Sequence, residues 1–338
     1  MPYKTKLHIR LIILITLLCP ASLAIRASLP DLPALTKESS LIVVGKIVSV
    51  QDVGEGMLSR PAGSIPVQNK IGRIQVSRIL KGQAKESTIT FDFVQTITWY
   101  GIRDVRVNQV GMFFLKPNGK NGFTVTSYYD PFVVAAIEAP RATGGAFERV
   151  LAEVTNILAL PQSTWVDKFK AIDILEQIET PTISEALRLA AKSENMRIRL
   201  RSVAALLRRN DISELGFAEK ILSNPPNDGD PDYLIGSLAN SLHGVKDPKA
   251  IPSLARLLKS HYIEARRSSA LALRRTGSDS AIDPFTKALY DNDREVRYHA
   301  VMGLAEITRQ YSWAPARDKY DSNEQHYLNN WRDWAAKR

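Results

Sequence analysis

The stretch Asp291-Asn292-Asp293-Arg294-Glu295-Val296-Arg297-Tyr298-His299-Ala300-Val301-Met302-Gly303-Leu304 decides how the second half of this chain is read. Laying Ala250–Gly277 over Ala281–Thr308 without a gap puts Ala250-Ile251 on Ala281-Ile282, Leu254 on Phe285 and Leu258 on Leu289. Glu264 then falls on Glu295, Ala265-Arg266 on Val296-Arg297, Ala272 on Gly303 and Leu273 on Leu304, at a constant offset of 31. Ile198 lies 67 residues before Ala265 and Leu234 lies 31 before it, each followed by small and apolar residues in the same phase. Four phases register, at 198, 234, 265 and 296, and the longer first interval is taken up by Asn224-Pro225-Pro226-Asn227-Asp228-Gly229-Asp230. A period near 31 made of two short helices predicts a stacked repeat array.

The pattern Val-Arg-x-x-Ala-x-x-x-Leu, spread over residues 183–310, resembles the HEAT family, in the short form also seen in phycobilisome-lyase-type repeats. The resemblance implies an α-α superhelix with Ala or Gly where neighbouring helices approach. It also implies an Asp capping the second helix and an Arg bracing the adjoining turn. The repeat around Leu234 departs from this in having Ile235 for the Arg, and those around Ile198 and Ala265 have Ser193 and Ser260 for the Asp.

On either side the period is still 3.6. Phe147, Val150, Leu151, Val154, Ile157 and Leu158 share one helical face, and Trp165, Phe169, Ile172, Leu175 and Ile178 share another, with Ser163 as the expected N-cap. Residues 145–180 are thus a helical lead-in or a degenerate repeat. Over 311–338, Tyr327, Leu328, Trp331, Trp334 and Ala335 oppose Asn329, Asn330, Arg332 and Asp333. That is the make-up of a terminal cap, which must cover the last open core surface. A Trp ligand site at Trp331 and Trp334 is the alternative.

The first half changes to a period of two. Leu41–Val50, Gly72–Leu80, Ser87–Val94, Val110–Leu115 and Gly122–Thr126 read as strands, and residues 52–70, with Gly54, Gly56, Pro61, Gly63 and Pro66, as a long exposed loop. Residues 38–140 are therefore expected to form a small all-β barrel of five or six strands. The segments Val43–Val50, Val76–Gly82 and Val110–Leu115 resemble an OB-type or netrin-like domain. The netrin-like inhibitors rely on an N-terminal Cys and disulfides, which this chain lacks. Trp99, Tyr100, Tyr128 and Tyr129 fall at strand ends, where they either cap the barrel or stack on a ligand.

Residues 1–24 have the layout of a signal peptide. Lys4, Lys6 and Arg10 precede the apolar run Leu11–Leu18, and Ser22-Leu23-Ala24 supplies the small residues of a cleavage site. Eight apolar residues reach about 12 Å as a helix, short of the roughly 30 Å hydrocarbon core. Leu18 sits where lipid attachment at Cys19 would need a small residue. Cleavage removes Lys4, Lys6 and Arg10 with no acidic residue, lowering the formal charge from +10 to +7, and takes away Cys19, the single cysteine. The exported chain could then form no disulfide and use no thiol. Export makes nucleic acid an unexpected partner and excludes stable membrane insertion after cleavage. The absence of any Asn-x-Ser/Thr fits a bacterial periplasmic or extracellular protein.

The residues carry no recognisable catalytic set. His8, His243, His261, His299 and His326 are scattered, with no His-Glu-x-x-His, and no Gly-x-Ser-x-Gly or phosphate-binding glycine loop is present. Asp228, Asp230 and Asp232 alternate as in a calcium loop, but Ala239 stands where the closing Glu is needed. No catalytic, cofactor or metal residues are expected. Charge does cluster. Lys192, Arg197, Arg199, Arg201, Arg208 and Arg209 face only Glu194 in sequence, and Arg266, Arg267, Arg274 and Arg275 follow one double repeat later. As second helices line the inner side of such arrays, Arg201, Arg208, Arg274 and Arg275 are the candidate partner-binding residues, aimed at an acidic protein. The alternative is that they brace the array. The reading is thus a two-part α+β chain. A β-barrel is followed by a HEAT-like solenoid, forming an exported, non-enzymatic scaffold for a protein partner. A peptide- or sugar-binding β domain and a lyase-type accessory protein are the rivals.

Overall fold

In the computed structural model, which describes residues 30–59, 63–96, 104–120, 122–136, 138–226 and 232–338, the period-two segments form five strands. These are β1 (Leu41–Leu58), β2 (Ile65–Lys81), β3 (Thr88–Thr96), β4 (Val110–Pro117) and β5 (Phe123–Val125), preceded by a short helix, α1 (Leu32–Glu38). The antiparallel pairs are β1 with β2, β2 with β3, β4 with β5 and β4 with β1. A parallel pair, β3 with β5, completes the order, so the sheet closes on itself. The runs Leu41–Val44 and Met112–Leu115 are apolar without alternation because both of their faces are covered. Val43, Phe113 and Leu115 fill the interior with Ile74, Phe91 and Val125, while Ile42, Val44, Met112 and Phe114 join a second buried cluster shared with the helices.

The expected loop over 52–70 is instead an extension of the β1–β2 ladder, paired out to Leu58↔Ile65 with a bulge between Asp52 and Gly54. Strand β3 runs beside it as far as Val67↔Thr96. Most of the β1 extension is exposed, so it lacks the alternation of a half-buried strand. Ladder hydrogen bonds and a small cluster of Ile65 and Val67 with Leu58 and Val94 hold it. Tyr128 packs partly against the interior cluster and Tyr129 is exposed; Trp99 and Tyr100, like residues 1–29, lie outside the described residues.

The helical half opens with α2 (Ala146–Ala159) and α3 (Trp165–Leu175), continues through α4 (Pro181–Ala190), α5 (Met196–Arg208), α6 (Leu215–Ser223), α7 (Asp232–Ser241), α8 (Ile251–Leu257), α9 (Ile263–Thr276), α10 (Ile282–Ala288) and α11 (Arg294–Ile307), and ends with α12 (Arg317–Ser322) and α13 (Glu324–Ala336). They pack as successive pairs, from α2 with α3 to α12 with α13, and the second members contact in series: α3 with α5, α5 with α7, α7 with α9, α9 with α11 and α11 with α13. The lead-in and the cap are therefore helix pairs like the rest. In the cap, Trp331 is fully buried between Trp313 and Trp334, with ring centroids at 5.0 and 5.3 Å, as a core side chain rather than an open ligand site.

Capping is shifted from the sequence reading. Thr164, not Ser163, caps α3 by accepting from the Asp167 amide. Asp293 caps α11, and its phase equivalent Asn195 caps α5 in the same way, each accepting from amides two and three residues on. Position 291 has a separate task. Asp291, Ser260 and Ser193 each accept from the amide two residues ahead, so Ser in place of Asp preserves the turn. The bracing Arg is present: Arg297 donates to the Asp291 and Asn292 carbonyls at 2.7 and 2.9 Å, and Arg266 to the Ser260 carbonyl at 2.9 Å.

Helix spacing within a repeat is set by paired sizes. Leu254 and Ala272 of one repeat correspond by phase to the larger Phe285 and the smaller Gly303 of the next. A Cβ on Gly303 would stand 2.4 Å from the Phe285 ring, and Phe285 is itself fully buried. Gly303→Ala should therefore destabilise by about 1–3 kcal/mol through overpacking, against the roughly 1 kcal/mol that Ala normally gains over Gly in a helix. Adding Phe285→Leu, which restores the Leu–Ala pairing of the preceding repeat, should recover most of the loss. Denaturant unfolding of the two single variants and the double variant measures this coupling; additive losses would contradict it.

Two residues of the Val76–Gly82 motif fasten the sheet to the helices. Arg78 reaches from β2 to Glu153 of α2 in a two-pronged pair, Nε–Oε1 and Nη2–Oε2 both 2.6 Å, and also donates to the Ala136 carbonyl at 2.7 Å. Lys81 Nζ donates to the Thr36 carbonyl at 2.7 Å, in the last turn of α1, where a cation suits the helix dipole. Around these contacts Leu32, Ile42, Val44, Leu80, Met112 and Phe114 pack in one buried cluster with Val150, Leu151 and Val154 of α2, so the apolar core runs unbroken across the expected boundary at 140–145.

Candidate partner-binding face

Two groups of arginines on the second helices differ in what they meet. The first group spans neighbouring helices onto carboxylates. Arg201 of α5 donates to Asp173 at 2.5 Å and Glu176 at 2.7 Å, at the end of α3. Arg208 pairs with the same Glu176 at 2.5 Å and also donates to Ser237 Oγ of α7 at 2.7 Å. Arg267 and Arg274 of α9 reach Asp293 at 2.8 Å and Glu306 at 2.5 Å on α11. Arg297 reaches Glu324 of α13 at 2.7 Å. Such partly buried pairs, two-pronged for Arg267 on Asp293 and Arg274 on Glu306, hold each helix at a fixed height against the next. The Arg267 guanidinium holds the Asp293 carboxyl below its usual range, which keeps the cap ionised. Of the candidate partner-binding residues, Arg201, Arg208 and Arg274 thus have their charge met within the array.

The second group meets no carboxylate. Arg209, the residue that ends α5, donates to the Ile178 and Thr180 carbonyls beyond the end of α3. Arg275 donates to the His243 carbonyl in the 310 turn Leu242–Gly244 that follows α7. Arg275 thus lies at the C-terminal end of the α7 segment, where orphan carbonyls attract cations, whereas Arg209 meets the connection between α3 and α4, Thr180 being the N-cap of α4. Lys246 is exposed, and its backbone amide is held by Asn210 Oδ1 at 2.7 Å. Gly244 presses on the end of α5 so closely that a Cβ there would stand 2.4 Å from Arg208 Cα. This brings the 310 turn over Arg208 and Arg209.

The result is a cleft of about 630 Å³ along one edge of the helix stack, lined by Arg208, Arg209, Lys246 and Arg275, with Glu179 and Ser184 opposite. It unites Arg208 and Arg275 of the sequence reading; Arg201 and Arg274 are not among its lining residues. Arg209 and Lys246 also line the cleft and are not among the candidates read from the sequence. Arg209 follows Arg208 in the same basic run, but nothing local separates a cation that finds a carboxylate about 30 positions away from one that does not. Within the cleft Arg209, Lys246 and Arg275 form no ion pair among the described residues.

The remaining titratable groups do not assemble a reaction centre. No cluster of three or more His, Cys, Asp or Glu placed to hold a metal occurs among the described residues. Asp228 and Asp230 lie outside them, as does the side chain of Asp232, the first residue of α7. His299 is buried in α11 with Nε2 3.3 Å from Glu295, and burial pushes its imidazole down to about 4, against an opposing pull from Glu295. It is a neutral core residue at neutral pH, at the position held by Ser268 one repeat earlier.

Residues 227–305 match the family model of HEAT repeats. No curated protein matches the chain. Among solved structures, one similar to it is the complex of CpcE and CpcF of phycocyanin lyase from Nostoc sp. PCC7120, at 19% identity over 52% of this chain and 71% of that one, with a TM-score of 0.38. Another is YibA of E. coli, at 18% identity over 48% of this chain and 60% of that one, with a TM-score of 0.33. With the 31-residue phase and the paired helices, the match over 227–305 shows that this chain carries HEAT repeats behind an N-terminal sheet domain.

Proposed function

We propose that this chain is an exported, non-enzymatic scaffold whose HEAT solenoid captures an acidic partner protein along the cationic edge of its second helices. The observation that carries this reading is the cleft where Arg209, Lys246 and Arg275 stand without an ion pair, on an array in which Arg201, Arg208, Arg267, Arg274 and Arg297 are each paired with a carboxylate. Cations left unpaired in a concave lining raise the local potential and favour a negatively charged partner. The closed five-stranded sheet we read as an OB-type barrel that anchors the first helix pair through Arg78 and Lys81. Export rests on the composition of residues 1–24 and places the mature chain in the periplasm or outside the cell. No helix among the described residues is long and apolar enough to cross a membrane.

The test is made on the protein secreted by its native host. Sequencing its N-terminus should give a start near Ile25, and a chain that retains Met1 in the membrane would overturn export. Capture of partners from the exported fraction should recover a protein with an acidic surface, released by raising salt. Recovery of none, or of a partner indifferent to salt, would overturn the scaffold reading.

A further inference from the structure

We propose that the cleft at the ends of α3, α5 and α9 holds an extended acidic segment of the partner, with its carboxylates meeting Arg209, Lys246 and Arg275 in turn. This deepens the scaffold reading and rests on it. Arg209 places its guanidinium at the Ile178 and Thr180 carbonyls beyond α3, whereas Arg275 places its own at the His243 carbonyl beyond α7. These two cationic heads therefore stand over different segments, one following α3 and one following α7, two places apart in the series of second helices. The cleft of about 630 Å³ that they line is several times larger than one phosphate or carboxylate. An extended chain advances about 3.3 Å per residue, so a segment of a few residues can present carboxylates to Arg209, Lys246 and Arg275, all of which line the cleft.

The lining favours the same occupant. Both guanidinium groups are steadied by carbonyls that do not cancel their charge. Arg208 is held by Glu176 and Ser237, so it positions the wall and leaves recognition to its neighbours. Glu179 is the acidic residue in the lining. It works against a dense anion and limits how much negative charge the cleft accepts.

Fluorescence anisotropy with full-length protein tests this, using a labelled six-residue peptide of alternating Glu and Gly and its Gln-Gly counterpart. The Glu peptide should bind, the Gln peptide about tenfold or more weaker, with affinity falling as salt rises. Lys246→Gln with Arg275→Gln should weaken binding about tenfold at low salt. Glu179→Gln should tighten it several-fold, a gain that a misfolded variant could not produce. Equal binding of the two peptides, unchanged affinity in the Lys246→Gln, Arg275→Gln double variant, or displacement of the peptide by inorganic phosphate at equal concentration would each overturn the proposal. Failure of the broader reading looks different. If the double variant captures the partner from the exported fraction as well as the native chain does, the scaffold stands and the cleft assignment falls. If the peptide binds but no partner is captured, the reverse holds.

Discussion

Arg78→Met is expected to cost about 3–5 kcal/mol of stability, the usual effect of removing one member of a buried ion pair. Glu153 is 1% exposed, and the guanidinium of Arg78 supplies both of its 2.6 Å contacts. Methionine fills similar volume without the charge, so the loss measures the stranded carboxylate more than a cavity. Two further signatures separate this from a generic packing defect. The first is pH. Protonation relieves a carboxylate stranded in an apolar wall, so the deficit should shrink as the pH is lowered. The second is cooperativity. Because Ile42, Met112 and Phe114 of the sheet share a buried cluster with Val150 and Val154 of α2, sheet and helices should unfold in one transition. Calorimetry and denaturant unfolding of the native chain and of Arg78→Met read both. Two separate transitions in the native chain, or a deficit that does not change with pH, would show that the clamp is not what joins the two parts.

The joint also marks what the sequence makes legible and what it hides. The apolar runs at 41–44 and 112–115 announce strands. That both of their faces are buried, one inside the closed sheet and one against α2, follows only from the fold. Arg78 and Lys81 stand out within an apolar motif, yet their partners lie 75 and about 45 positions away. The helix α1 carried its own signal, Asp31 before Leu32-Pro33, but seven residues give too short a run for a period to show. The 52–70 arm was hidden by its glycines and prolines and by its exposure. Its stability comes from ladder bonds to β3, which leave no trace in local hydropathy.

The repeats were legible because each position of a stacked unit meets the same environment in every copy. Hence 31-residue phasing carries over to atomic detail. Arg266 and Arg297 bond equivalent turn carbonyls, and Asn195 and Asp293 cap equivalent helices. Where the copies differ, phase misleads. Arg208 and Arg275 share a phase, with Glu306 in the next copy, but Arg208 meets Glu176 while Arg275 meets a carbonyl. The candidates read from the basic clusters share Arg208 and Arg275 with the cleft. Arg201, Arg208 and Arg274 are tied to acids, and the accessible charge falls to Arg209, Lys246 and Arg275.

Leu304→Ala is expected to cost about 2–5 kcal/mol, since Leu304 is fully buried in α11 and truncation there leaves a cavity. The more telling consequence is where the loss appears. Helix α11 packs on α10 within its own pair, on α9 before it, and on α13 after it. The cap closes over that last contact through Trp331, which Trp313 and Trp334 flank edge-on. In a stacked array each unit is stabilised by its neighbours, so a weakened α11 lowers the cost of opening α13 more than that of opening α5, three pairs away. Hydrogen exchange should therefore show protection falling at the amides of Leu328 and Trp331 while those of Val203 and Leu206 hold near their native values. The matching Leu273→Ala, one repeat earlier, should carry its loss to α7 and α11 in the same measurement. A cap that stays fully protected in Leu304→Ala would mean that α13 draws its stability from α10 and Arg332, whose Nη2 donates to the Leu289 carbonyl at 2.6 Å, and not from the repeat axis.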